Sequence, residues 1–221
     1  MSKYFLDNFK YAIFDLDGTL VNSMPVYQDT YVSILERYGV ERGFSERYYT
    51  NSAGTPLAEQ FRRMLPSHVF EEEPEIIVRL VDEFFSLVES LDFELFVGVK
   101  DVLHSLKQRG KSMFITTGTR NPQARLERLS CYYFLVRAIG VDELPKGPEH
   151  FHVFAESLGV TVPELCSNSF MVGDGPSDMQ LARQMRVGYA IGVTNTVDSE
   201  KLMAAGADET IDDIRDLMTL A

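Results

Sequence analysis

Two aspartates stand two residues apart at the end of the first apolar run, in Tyr11-Ala-Ile-Phe-Asp15-Leu-Asp17-Gly18-Thr19-Leu20. In a strand, positions i and i+2 share a side, so both carboxylates are expected to project together from its carboxyl end. Open α/β sheets bind their ligands at that end. Carboxylates crowded there share a proton, bind a metal, or divide nucleophile and acid/base duties.

Three other constellations close apolar runs or turns in a comparable way. Met113-Phe-Ile-Thr116 leads into Thr117-Gly118-Thr119-Arg120, where Thr117 reads either as part of a polar helix cap or as a holder of a phosphate oxygen through its hydroxyl and backbone N–H. Lys146 lies in the turn-rich segment Leu144-Pro-Lys-Gly-Pro148. Phe170-Met-Val-Gly173 runs into Asp174-Gly-Pro-Ser-Asp178, which places Asp174 at a strand end and Asp178 in the first turn of the next helix. Both are expected to face the pocket of Asp15 and Asp17. Oxygen-rich acidic clusters of this kind suit Mg²⁺.

Such groups need a scaffold that gathers distant strand ends, and the hydrophobic pattern supplies one. From Gly98 the chain alternates: helix 99–109, strand Ser112–Thr116, helix 122–130, an apolar run Tyr132–Ile139, helix 149–158 and strand Ser169–Val172. Helix 177–186, strand Gly188–Ile191 and helices near Ser199–Ala205 and Ile211–Leu217 follow. Alternation with short glycine-marked connections predicts an α/β fold, a doubly wound parallel sheet with helices on both faces. Residues 26–94 carry no β-run. They read as helices Val26–Tyr38, Pro56–Leu65 with Thr55 as N-cap, and Pro74–Leu91, with Ile77, Leu80, Val81, Phe84, Val88 and Leu91 on one face. Glu71-Glu72-Glu73 reads as a solvated helix N-terminus. The expected domains are a core of 1–22 and 97–221 and an inserted all-helical domain, 23–96.

Composition narrows the partners. The net charge is −12 over 221 residues, which argues against nucleic acid, since phosphate neutralisation needs basic patches. From Met24 to Phe96 there are 14 acidic residues against six arginines and no lysine, so the inserted segment is the more acidic part. No apolar run reaches the length of a membrane span, and the first residues lack a secretory pattern. Cys131 and Cys166 have no metal-ligand spacing, which leaves two reduced thiols in a cytoplasmic protein, monomer or homodimer, as the expectation.

In order, spacing and strand context, Asp15-x-Asp17-Gly-Thr-Leu, Thr117, Lys146 and Gly173-Asp174-x-x-x-Asp178 resemble the four signature motifs of the haloacid dehalogenase-like (HAD) hydrolases. The layout is similar to the phosphoglycolate phosphatase-like branch, with a helical cap after the first motif over a Rossmann-type core. Gly54-Thr-Pro, Val97-Gly-Val-Lys100 and Asn121-Pro122 match as well. The resemblance implies a Mg²⁺-dependent phosphatase of a small phosphorylated metabolite. Asp15 would be the nucleophile forming an aspartyl-phosphate, and Asp17 the general acid and base. Mg²⁺ would be held by Asp15, the Asp17 carbonyl, Asp174 and Asp178, and phosphate by Thr117, Gly118 and Lys146.

Some departures bear on the reading. The third motif, Lys146-Gly-Pro-Glu-His, is one residue shorter than the branch's usual Lys-Pro-x-Pro-Asp. Gly173 stands where sugar phosphomutases, the alternative reading, usually carry an acid. Asp17 speaks against carbon–halogen hydrolysis, which protonates no alkoxide. The absence of lysine between Lys10 and Lys100 excludes a Schiff base on the inserted segment.

Overall fold

The computed structural model describes residues 5–52, 55–73 and 75–220; Gly54, Pro74 and the side chains of Glu71 and Glu72 lie outside the description. After β1 (Tyr11–Phe14) come five helices: α1 (Met24–Glu36), α2 (Arg42–Asn51), α3 (Leu57–Met64), α4 (Ser67–Glu72) and α5 (Ile76–Glu89). Alternation then begins with α6 (Val99–Gln108), β2 (Ser112–Thr116), α7 (Pro122–Arg128), β3 (Arg137–Ile139), α8 (Pro148–Leu158) and α9 (Val162–Ser167). It continues with β4 (Ser169–Gly173), α10 (Pro176–Met185), β5 (Tyr189–Val193), α11 (Ser199–Ala204) and β6 (Glu209–Ile211).

The six strands form one parallel sheet in the order β3-β2-β1-β4-β5-β6. Every residue of β1 and β4 is buried, so both faces of the sheet centre are covered, as continuous apolar strands require. The chain starts in the middle, moves outward through β2 and β3, and restarts beside β1 with β4. Strand order therefore reverses between β1 and β4, and the crevice outside their carboxyl ends is the switch point where such sheets bind ligands.

Contacts divide the chain into two compact units, Met1–Asn22 with Glu94–Ala221, and Ser23–Phe93. The second builds its own core from Tyr31, Leu35, Phe61, Leu80, Phe84 and Val88. Ile77, Leu80, Phe84 and Val88 recur at three- and four-residue intervals and face this core from α5. Val81 is only half-buried, and Leu91 falls beyond the helix and is 39% exposed. Four of the six arginines here are spent on local ion pairs: Arg37 with Glu83, Arg42 with Asp29, Arg63 with Glu59 and Arg79 with Glu73.

Several elements differ from the sequence expectation. Helices α2, α4 and α9 are additional: α4 and α9 run only six residues each, and α2, Arg42-Gly-Phe-Ser-Glu-Arg-Tyr-Tyr-Thr-Asn51, carries too few apolar residues to mark a face. Thr55 does not cap α3; Pro56 holds the cap position at φ −55°, ψ 136°, and the proline ring keeps its predecessor out of helical conformation. Glu71 and Glu72 close α4 rather than open the next helix. The apolar run Tyr132–Ile139 splits into a 3-10 turn, Tyr132–Phe134, and β3. The last expected helix is replaced by β6 and a 3-10 turn, Ile214–Met218. Hydrogen bonding of Glu209–Ile211 to the free edge of β5 overrides the local pattern there.

Candidate active site

Asp15 follows β1 directly, and its N–H donates to the carbonyl of Val172 in β4 at 2.9 Å. Past it the chain turns sharply at Gly18, φ +80°, where a Cβ would lie 2.1 Å from Oδ2 of Asp174. Only glycine allows both that left-handed conformation and that approach. The turn delivers Thr19, whose hydroxyl donates to Oδ1 of Asp174 at 3.0 Å. Asn195, beyond β5, braces the turn from outside: its Nδ2 donates to the Gly18 carbonyl at 2.9 Å.

Asp15, Asp174 and Asp178 converge. Each offers a carboxylate oxygen within 4.8 Å of the others, and all three side chains are buried. Asp178, in the first turn of α10, accepts the Gly175 N–H through Oδ2 at 3.1 Å. Its other oxygen lies 2.5 Å from Nζ of Lys146, which also reaches Oδ1 of Asp15 at 2.6 Å. The shortened loop thus still delivers its lysine. Lys146 thereby gives Asp178 of the fourth motif a basic partner.

One lysine faces three buried carboxylates, and the electrostatics follow. Burial pushes the pKa of Asp15 well above the usual carboxylate range; Lys146 opposes this, and Asp178 and Asp174 add to it. Asp174 is pushed up to about 6, again by burial first and then by Asp178. Burial lowers the pKa of Lys146, but Asp15 and Asp178 outweigh it and hold the ammonium above its ordinary value. A buried excess of hard, anionic oxygens with raised affinity for protons is a donor set that fits a divalent cation such as Mg²⁺.

Asp17 takes a different direction. Its Oδ1 receives Nη1 of Arg125 at 2.8 Å, and its Oδ2 receives the hydroxyls of Thr119 and, at 3.4 Å, Thr117. Asp15 and Asp17, expected to project together, are thus held by different groups. β1 ends at Phe14, and beyond it the two carboxylates find separate partners. Arg125 is 3% exposed and belongs to α7; nothing in its spacing singles it out in the sequence. The backbone N–H of Thr117 is also not open to a ligand, because it donates to the Ile139 carbonyl at 3.1 Å. Its hydroxyl accepts the Thr119 N–H at 3.1 Å, and Gly118 between them is exposed.

A sequence profile of the haloacid dehalogenase-like hydrolases matches residues 12–191. The chain belongs to this family. The hydrolase is 28% identical over 203 residues to a phosphorylated carbohydrates phosphatase of Thermotoga maritima, across 89% of this chain and 91% of that protein. It is 27% identical over 228 residues to a phosphoglycolate phosphatase of Photobacterium profundum, across 96% and 95%. A haloacid dehalogenase-like family hydrolase from Streptococcus pneumoniae has the same fold: TM-score 0.77 at 19% identity, covering 96% of this chain and 98% of that one. No helix among the described residues is long and apolar enough to cross a membrane.

Proposed function

We propose that this hydrolase is a Mg²⁺-dependent phosphatase of a small phosphorylated metabolite, acting through an aspartyl-phosphate on Asp15. The observation that carries the reading is the buried Asp15 carboxylate at the switch point, paired with Lys146 and within 4.8 Å of carboxylate oxygens of Asp174 and Asp178.

In the first step an Asp15 oxygen attacks phosphorus, and the bond from phosphorus to the substrate oxygen breaks. Asp17 gives that leaving oxygen its proton. In the second step Asp17 takes a proton from water as the water attacks phosphorus, and the acyl-phosphate bond breaks, returning Asp15 and inorganic phosphate. Lys146 offsets the repulsion between Asp15 and the incoming phosphate, and with the Thr117 hydroxyl and Gly118 it cradles the phosphate oxygens. Arg125 and Thr119 position Asp17 for both proton transfers. Mg²⁺ held by Asp15, Asp174 and the Asp17 carbonyl, steadied by Asp178, would supply charge neutralisation at the transferred phosphoryl group.

The two relatives described above are named for phosphorylated carbohydrates and for phosphoglycolate, and a phosphomonoester of a small polar metabolite is the substrate class we assign. A sugar phosphomutase is the second reading. It is disfavoured by Gly173, where no acid stands and where a Cβ would collide with Asp178. Cytoplasmic location as monomer or homodimer, without nucleic acid or membrane as partner, completes the proposal. Its basis includes two free, buried thiols, Cys131 and Cys166. Phosphate release measured over several dozen phosphorylated metabolites, with Asp15→Asn as control, tests it. Release by the wild type on none of them would overturn it.

A further inference from the structure

His150 is fully buried in the first turn of α8, and the chemistry above gives it no task. Its ring spans two loops of the site. Nε2 lies 3.0 Å from the Leu144 carbonyl oxygen, which only accepts, so this nitrogen carries the proton. Nδ1 is then a bare acceptor, 2.8 Å from the hydroxyl of Thr116, which donates to it. Burial, partly opposed by the bond to Leu144, keeps the pKa of the ring below the ordinary histidine value. The ring is a neutral imidazole with both nitrogens used.

Its two partners are informative. Leu144 stands two residues before Lys146, and Thr116 adjoins Thr117. Other bonds join the same two loops farther away: the Val141 N–H donates to the Thr119 carbonyl at 3.1 Å, and the Asn121 N–H to Oδ1 of Asp142 at 3.0 Å. Gly140 packs so closely that a Cβ would stand 2.2 Å from the Thr119 carbonyl. Those contacts fasten the first half of the 140–147 segment. His150 fastens the half that carries Lys146.

We infer that His150 is a positioning residue that ties the Lys146 loop to the carboxyl end of β2, so that Lys146 and Thr117 present to phosphate as one unit. The inference rests on the reading that these two residues hold phosphate. His150→Phe keeps a ring of similar volume and removes both bonds. His150→Asn retains an acceptor near Nδ1, and His150→Gln a donor near Nε2. Inorganic phosphate binding to the Mg²⁺-loaded protein, read by calorimetry, is expected to weaken on the order of tenfold in His150→Phe, as loss of one or two hydrogen bonds implies. KM for p-nitrophenyl phosphate should rise in parallel while kcat changes little, and the Asn and Gln variants should recover part of the loss. In a Lys146→Met background, His150→Phe should weaken phosphate binding less than it does in the wild type, since of the two holders only Thr117 remains. Unchanged phosphate binding in a folded His150→Phe protein overturns the inference, as does full additivity with Lys146→Met. Should His150→Phe fail to fold, the Asn and Gln variants carry the same comparison, and wild-type binding in both overturns it. Wild-type phosphate binding in Lys146→Met would instead remove the underlying reading of Lys146.

Discussion

A Cβ placed on Gly173 would stand 2.4 Å from the Cβ of Asp178. The end of β4 and the first turn of α10 therefore meet at a distance only glycine permits, and this contact presents Asp178 to Lys146. Gly173→Ala is expected to displace that turn, at about 1–3 kcal/mol for an overpacked site, and to raise the Mg²⁺ concentration needed for half-maximal activity. Thermal melting and a Mg²⁺ titration check it; wild-type values in both would mean the backbone yields without moving Asp178.

Asp15→Asn should abolish turnover, by a factor on the order of 10³ or more in kcat, and leave the circular dichroism spectrum unchanged. The reason is its burial beside Lys146, where the carboxylate is the proposed attacking group. Activity within tenfold of wild type, after controls for deamidation, would remove Asp15 as nucleophile.

Chelation should stop catalysis, and added Mg²⁺ should restore it. Because Asp15, Asp174 and Asp178 repel one another with a single lysine among them, a bound cation should also raise the melting temperature by mass action. Asp174→Asn should remove most of that rise. A metal-free protein that hydrolyses phosphomonoesters at full rate contradicts the assignment.

Asp17→Asn should slow alkyl phosphate hydrolysis by roughly 10²–10⁴-fold and affect p-nitrophenyl phosphate less in the phosphorylation step, since p-nitrophenolate needs no proton. Arg125→Met should move in the same direction by a smaller factor, because the guanidinium positions the carboxylate through its 2.8 Å bond. Single-turnover p-nitrophenol release beside alkyl phosphate hydrolysis tests both variants. Equal losses on the two substrates would take Asp17 out of the acid/base role.

The pKa of His150 is lowered in the folded protein from 6.5, by burial first and by Lys146, with the Leu144 bond and Glu143 opposing. The unfolded chain therefore takes up this proton at a higher pH than the folded one. Its contribution to stability is intact above 6.5 and is lost as pH falls toward the folded value. Urea unfolding between about pH 7 and pH 5 should show wild type losing stability more steeply than His150→Gln. Parallel pH curves would show that the ring takes up its proton equally in both states.

Much of the candidate site was legible because its residues end elements of clear period. Asp15, Thr117 and Asp174 each close an apolar strand, and local alternation of strand and helix is enough to infer a parallel sheet with all three at one edge. Residues 26–94 were legible as helical for the same reason, although α4 is too short, and α2 too poor in apolar residues, for a period to define. Three-dimensional structure decided what depends on pairs far apart in sequence. It gave Asp17 the partner Arg125, 108 residues on, brought Lys146 between Asp15 and Asp178, and set His150 between Thr116 and Leu144. It also made a strand of Glu209–Ile211 by offering it the edge of β5. Spacing records which face of an element a residue occupies; which charge or carbonyl meets it across the fold depends on chain closure, and no local pattern carries that.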